Sequence, residues 1–459
     1  MKTRVQRIHF TGIGGIGMSG IAELLHNQGF KVQGSDIEEN ANIRHLYSLG
    51  IDVEIGHRAE NIAGASVVVV TSAVRKDNPE IQAALMQHIP VIPRAEMLAE
   101  LMRMKQGIAV AGSHGKTTIT SMIAHAMEVA GEDPTYVIGG RLIASGTNTR
   151  LGSSPWLVAE ADESDGSFLR LSPMITVVSN IDPEHLDHYG NFENLMASFR
   201  QFVEMTPFYG RVVLHHEHPN VAALRLGLQK PVMTYGSSPQ ADLCLVESIP
   251  DGNGQNMTVR LRSSGDSISL RLPMPGLHNA ENAMAAMAVL MDIGFSYETI
   301  RAGLESFAGI QRRFHCTKVG DAVLVDDYAH HPKEILATLA AAHTCWPDRH
   351  ISAIFQPHRF TRTRDLMDDF LCCFDLTSTL ALLPIYAASE APIDGISSDV
   401  MADLLRQRGH HDVRLCADLK DARQLATQAL QQGHIVLLMG AGSIGSLAAQ
   451  MRDEFRGQQ

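Results

Sequence analysis

Short apolar runs alternate with longer amphipathic stretches along most of this chain. In the first hundred residues the runs fall at 7–11, 31–34 and 67–72, and a helical pattern opens at about Met18. Strand, helix and strand in succession predict a parallel sheet with helices on its faces. A second set of such units starts at 107–111 and continues through 156–159 and 175–180. The pattern restarts near Phe307, with strands predicted at 322–325, 350–355, 379–384 and 434–439. The fold class is therefore α/β in three domains, bounded as 1–105, 106–308 and 309–459.

Composition narrows the classes without choosing a function. A chain of 459 residues is too long for one ordinary core, and 45% hydrophobic with 19% charged residues is the balance of a globular protein. The formal charge of -12, with no long basic run, excludes a phosphate-backbone partner, which needs a concentrated positive surface. No nucleic acid and no membrane partner is expected, since no apolar stretch approaches a membrane span. Cys244, Cys316, Cys345, Cys372, Cys373 and Cys416 are scattered without short paired spacings, which suits a reducing compartment. The opening run reaches Gly12 too soon for a signal-peptide core, so a cytoplasmic location is the expectation.

Two glycine-rich loops follow predicted strands. Gly12, Gly14, Gly15 and Gly17 open a helix, so their amides can receive a diphosphate, and Asp36 ends the next strand where a ribose-binding acid is expected. Alone, this fingerprint points to a dinucleotide, with a plain tight turn as the lesser alternative. The same pattern returns at Gly440-Ala441-Gly442-Ser443-Ile444-Gly445. Gly112-Ser113-His114-Gly115-Lys116-Thr117-Thr118 is more specific. Its amides can wrap phosphate oxygens, Lys116 can offset the β/γ-phosphate charge, and Thr117 can offer a hydroxyl to Mg²⁺. Val110 stands where a full phosphate loop has its first glycine.

Acidic and basic clusters lie just beyond other strands. Glu160-Ala161-Asp162-Glu163-Ser164-Asp165 and Asp182-Pro183-Glu184-His185 supply hard oxygens for Mg²⁺, or else solvated helix caps. His278, Asn279 and Asn282 precede an alanine-rich helix, where Asn279 is either an N-cap or a ligand contact. Asp326-Asp327-Tyr328-Ala329-His330-His331-Pro332 gathers titratable groups before a proline-started helix. Arg359, Arg362 and Arg364 concentrate guanidinium groups suited to carboxylate or phosphate.

Taken together and in this order, the motifs resemble the Mur ligases, and within that family the branch that adds L-alanine. The resemblance implies a Rossmann-like N-terminal domain for a UDP-sugar, a central domain with a phosphate loop for ATP, and a mobile Rossmann-like C-terminal domain for the amino acid. It implies an ATP-dependent ligase that joins the lactyl carboxylate of UDP-N-acetylmuramate to L-alanine through an acyl phosphate. Gly14, Gly15, Ile16 and Gly17, with Ser72 and Arg75, would then line the UDP-sugar groove. Gly112, Ser113, His114, Gly115, Lys116, Thr117 and Thr118 would hold ATP, joined by Asn279, Asn282, Arg313 and Asp327. Thr117, Glu160 and His185 would bind Mg²⁺. Tyr328, Arg359 and Arg362 would shape the L-alanine pocket, and His330 or His331 would orient or accept the amine proton.

Some positions depart from the family pattern. No lysine occurs between Lys116 and Lys230, so none is assigned as a carbamoylated residue beside the metal. Ala329 stands where the alanine-adding branch usually has glycine, which keeps a related peptide-recycling ligase as the alternative. A nucleotide-binding regulator without turnover is the alternative of another class. The oligomeric expectation is monomer or homodimer.

Overall fold

A computed structural model describes residues 5–71, 74–139, 142–143, 148–388 and 390–456. The chain gathers into two compact units, one of residues 1–246, 259–268 and 281–307, the other of 247–258, 269–280 and 308–459.

The first unit begins with a parallel sheet made of β1 (Arg7–Thr11), β2 (Lys31–Asp36), β3 (Asp52–Ile55), β4 (Val67–Val70) and β5 (Val91–Pro93), in the order β3-β2-β1-β4-β5. Central strands covered on both faces read as continuous apolar runs, and Ile8, His9, Phe10 and Thr11 of β1 are all buried. The register sets Thr11 beside Ser35, which brings the ends of β1 and β2 together.

The second sheet contains β6 (Gln106–Ala111), β7 (Thr135–Val137), β8 (Thr149–Arg150), β9 (Trp156–Glu160), β10 (Ile175–Val178), β11 (Arg211–His215), β12 (Val232–Gly236), β13 (Leu243–Asp251), β14 (Gly254–Leu261) and β15 (Ser267–Leu272). Its order is β15-β14-β13-β12-β11-β10-β6-β9-β7-β8. β6 runs parallel to β9 on one side and β10 on the other, so the loops after all three open on the same sheet edge. Strand order reverses at β6, and such a switch point is where open α/β sheets bind ligands. Helices from both sheets share one buried core that includes Leu98, Met102, Phe168 and Phe199.

The second unit carries β16 (His315–Val319), β17 (Ala322–Asp327), β18 (Ile351–Phe355), β19 (Thr379–Leu382), β20 (Val413–Leu415) and β21 (Ile435–Met439). The order is β16-β17-β21-β18-β19-β20, parallel except for the β16–β17 hairpin. β17, β21 and β18 are neighbours, so the segments after Asp327, Met439 and Phe355 emerge side by side.

The predicted strands are present with adjusted ends. β10 stops at Val178 rather than at 180, because Ser179 and Asn180 leave the ladder to bond the phosphate loop. β17 runs on to Asp327, since Asp326 and Asp327 still pair with Leu438 and Met439. β3, β5, β7, β8, the run of strands from β11 to β16, and β20 were not among the predicted elements.

Candidate active site

The loop from β6 into the helix Lys116–Val129 is held from behind by the segment after β10. Asn180 Oδ1 accepts from the amide of His114 at 2.7 Å, Ser179 Oγ donates to the His114 carbonyl at 2.7 Å, and Ser113 Oγ accepts from the amide of Asp182 at 2.8 Å. Gly112 and Gly115 have φ of 135° and 86°, values that favour residues without a Cβ. A side chain at Gly115 would also collide with Asn282 Oδ1. A helix that opens directly from such a loop presents its N-terminus there, an arrangement that attracts anions.

Lys116 lies at the centre of this loop. Its Nζ donates to the Gly112 carbonyl at 2.6 Å and to Glu163 Oε1 at 2.7 Å. Burial would by itself pull the ammonium down, but the carboxylates of Glu163, Asp162 and Glu160 outweigh it and hold Lys116 above the ordinary lysine range. A permanent cation is thus stored where polyphosphate charge would arrive.

The acids beyond β9 and β10 converge on the same place. Ligand atoms of Glu163, Glu184 and His185 lie within 4.8 Å of one another. Glu163 Oε2 is buried and has no hydrogen-bond partner among the described residues, so its lone pairs are available to a cation. His185 has a left-handed backbone with φ of 56°, a conformation uncommon for non-glycine residues. Glu160 ends β9 and accepts from the amide of Gly139 at 2.6 Å. Thr117 is buried at the helix start. The two carboxylates and the imidazole of Glu163, Glu184 and His185, brought this close, offer donor atoms for a divalent cation.

A cleft of about 510 Å³ opens at the carboxyl end of the first sheet, lined by Gly12, Gly14, Gly15, Asn40, His57 and Arg75 among others. Asp36, expected to bind ribose, instead accepts from the amides of Gly14 and Ile37, both at 2.8 Å, and so shapes the loop. Gly17 packs close to Arg94. The Arg75 side chain is exposed and pairs with Asp77 at 2.9 Å. Ile16 begins the helix Ile16–Asn27, and Ser72 lies outside the described residues.

Beneath this cleft sits a buried acid that the sequence did not single out. Glu80 Oε2 accepts from His9 Nε2 at 2.9 Å, Thr11 Oγ1 at 2.8 Å and Ser35 Oγ at 2.7 Å, while Oε1 accepts from Asn61 Nδ2 at 2.7 Å. Burial pushes this carboxyl up, yet the hydrogen bonds from His9, Ser35 and Thr11 prevail and hold it at about 2. Ser35 in turn accepts from His57 Nδ1 at 2.9 Å, which ties the network to the cleft wall.

In the second unit, Asp327 is buried, and its two oxygens accept from the amides of Phe314 at 2.8 Å and Ala329 at 2.7 Å. Burial pushes its carboxyl up, against the pull of Arg313. Tyr328 receives the guanidinium groups of Arg312 at 4.9 Å and Arg313 at 5.3 Å from its ring centre. The His330 and His358 rings lie 6.1 Å apart, and His358 stacks on Tyr386 at 5.5 Å. Arg362 Nη1 donates to His358 Nδ1 at 3.2 Å. Burial, with Arg362, His330 and Arg359 nearby, pushes His358 down to about 4. Arg359 keeps φ at 70° and its amide donates to the Tyr386 carbonyl at 2.8 Å.

Asn279 and Asn282 share the helix Leu277–Asp292, and both are buried. Asn279 is not the N-cap, because it lies within the first turn and its Nδ2 donates to the Pro275 carbonyl at 2.7 Å.

Three family models match in sequence order: the Mur ligase family catalytic domain over residues 7–106, the Mur ligase middle domain over 110–290, and the Mur ligase glutamate ligase domain over 312–442. The chain belongs to the Mur ligase family. It is 48% identical to a UDP-N-acetylmuramate--L-alanine ligase of Agrobacterium fabrum, covering 99% of this chain and 98% of that one. To the protein of that name in Brucella anthropi it is 47% identical, over 100% of this chain and 99% of the relative. Among solved structures it is similar to a UDP-N-acetylmuramate-alanine ligase from Thermotoga maritima, with a TM-score of 0.83, 28% identity, and 99% and 100% of the two chains covered. A murein peptide ligase from Psychrobacter arcticus shares the fold, with a TM-score of 0.71 at 23% identity over 98% of each chain.

As a Mur ligase the chain has more of its chemistry in second contacts than its motifs disclosed. Glu163 and Glu184 stood inside quoted motifs but were not chosen, since sequence spacing cannot say which of several acids turns inward. His358 directly precedes the Arg359–Arg364 cluster, and Glu334 had a signal available as the third residue after a helix-capping His331. Glu80 and Tyr386 had none.

Proposed function

We propose that the chain is an ATP-dependent ligase that forms the amide between the lactyl carboxylate of UDP-N-acetylmuramate and L-alanine, in the cytoplasmic supply of peptidoglycan precursors. The observation that carries the proposal is the Lys116 ammonium, held by its own loop and Glu163 beside further acids at the switch point of the central sheet. No protein nucleophile is required. The carboxylate attacks the γ-phosphate, giving an acyl phosphate and ADP, and the alanine amine then displaces phosphate.

Lys116 would leave Glu163 to meet the β/γ-phosphates, with the backbone amides that open the helix Lys116–Val129 holding the remaining oxygens. Thr117, Glu160, Glu163, Glu184 and His185 would hold Mg²⁺, which spreads polyphosphate charge when bound. Arg313 would add positive charge, and Asp327 would accept from the ribose. In the first cleft, Gly12 to Gly17 would face the substrate diphosphate and His57 would border the base. Arg359 and Arg362 would hold the carboxylate of L-alanine. We propose a monomer or homodimer as the working species.

The test is phosphate release from ATP and Mg²⁺ with UDP-N-acetylmuramate, in the presence of L-alanine, of L-alanyl-γ-D-glutamyl-meso-diaminopimelate, or of neither. Release that depends on L-alanine supports the proposal, and release that depends on the tripeptide moves the chain to the recycling branch. Lys116→Ala should reduce release by about 1,000-fold while UDP-N-acetylmuramate binding persists.

A further inference from the structure

Attack on an acyl phosphate needs a neutral amine, whereas an amino acid arrives as an ammonium. Three imidazoles lie in the second unit near the proposed alanine pocket: those of His330, His331 and His358. Their hydrogen bonds assign the protons differently. His331 caps the helix Pro332–Cys345, and its Nδ1 accepts from the amide of Lys333 at 3.4 Å. His358 Nδ1 accepts from the Arg362 guanidinium, which has no lone pair to offer in return. In both neutral rings the lone pair is engaged and the proton sits on Nε2.

His330 has the opposite arrangement. Its Nδ1 lies 3.1 Å from the Tyr328 carbonyl and 3.2 Å from Glu334 Oε2. A carbonyl can only accept, so Nδ1 carries a proton, and in the neutral ring the lone pair lies on Nε2. Glu334 is itself anchored, because Oε2 also accepts from the amides of His330 at 3.1 Å and His331 at 3.3 Å. Its other oxygen lies 3.9 Å from Arg313 Nη1.

We infer that His330 Nε2 takes the proton from the alanine ammonium and that Glu334 is the positioning residue that fixes its tautomer and supports the resulting imidazolium. The inference rests on the ligase reading above. The ammonium releases one proton to Nε2, the amine lone pair forms the C–N bond, the C–O bond to phosphate breaks with the electron pair leaving on phosphate, and that phosphate takes the second proton the nitrogen sheds as the amide forms. The groups facing His330 are Glu334 from the following helix, Tyr328 from its own loop, and His358, which is backed by Arg362.

The test compares two acceptors in His330→Gln and Glu334→Gln proteins. L-alanine needs the base, whereas hydroxylamine is neutral near pH 7 and traps the acyl phosphate as a hydroxamate without one. His330→Gln should lower kcat with L-alanine by about 100-fold or more, with hydroxamate formation falling far less. Glu334→Gln should lower kcat by about 10-fold with KM for L-alanine within about twofold, and should move the acid limb of the kcat profile to lower pH, since the imidazolium loses its carboxylate. Equal loss with both acceptors, an unmoved acid limb in Glu334→Gln, or wild-type kcat with L-alanine in His330→Gln would overturn the assignment. Failure of the unmodified protein to release phosphate with L-alanine would instead overturn the ligase reading.

Discussion

Glu80→Gln should loosen the first sheet while leaving its strands in place. All four groups at this carboxylate are donors: His9 Nε2, Thr11 Oγ1, Ser35 Oγ and Asn61 Nδ2. A glutamine must turn its NH₂ toward one set of them, leaving a buried donor facing a donor. A carboxyl held at about 2 against an ordinary 4.5 corresponds to about 3 kcal/mol of native-state stabilisation, at about 1.4 kcal/mol for each tenfold in proton affinity. The folded-state value is depressed, so this stabilisation is complete above pH 4.5 and is lost as pH falls toward 2. At pH 7, amides of β1 and β2 in Glu80→Gln should therefore exchange with deuterium about 100-fold faster than in the parent chain. Peptide-resolved exchange is preferable to a melting curve, because a chain with two compact units has no single unfolding free energy. A change under about threefold would refute the reasoning and mean that the network is satisfied by water as readily as by Glu80.

Two further outcomes follow from the phosphate-loop unit. Gly115→Ala combines a φ of 86° with a collision against Asn282, so ATP turnover should fall at least 10-fold with little loss of UDP-sugar binding, measured by phosphate release and calorimetric titration. Glu281 is pushed up to about 7 by burial and by Glu217, so the folded chain binds a proton that the unfolded chain releases. Its destabilising effect is absent below about pH 4.5 and complete above about 7, and Glu281→Gln should stabilise the first unit at pH 8 by about 1–2 kcal/mol, allowing for partial exposure, with no gain at pH 4. Peptide-resolved hydrogen exchange across the first unit at the two pH values measures it.

Much of the local architecture was legible in the chain itself. Apolar runs of four to six residues beside glycine turns have few alternatives to buried parallel strands, and β1, β6, β18 and β21 lie where those runs fall. The alternation in Ser267–Leu272, exposed and buried in turn, is a strand signal of a different kind from the continuous apolar runs that mark the buried parallel strands. Asn279 shows the opposite limit. Its chemistry suits a cap, but the helix begins earlier, and only the backbone path reveals that.

By sequence alone, the order of motifs determined the family and the elements that carry each loop, because strand, glycine turn and helix are local consequences of apolar period and backbone freedom. Tertiary structure decided which titratable groups meet. Glu163 reaches Lys116 across 47 residues of chain, and Glu80 reaches His9 across 71. Such pairs depend on strand order and register, which place side chains together or apart by whole strand spacings. The proton on His330 was equally beyond the sequence, since a tautomer is set by the partner at the other ring nitrogen, and that partner is a matter of geometry.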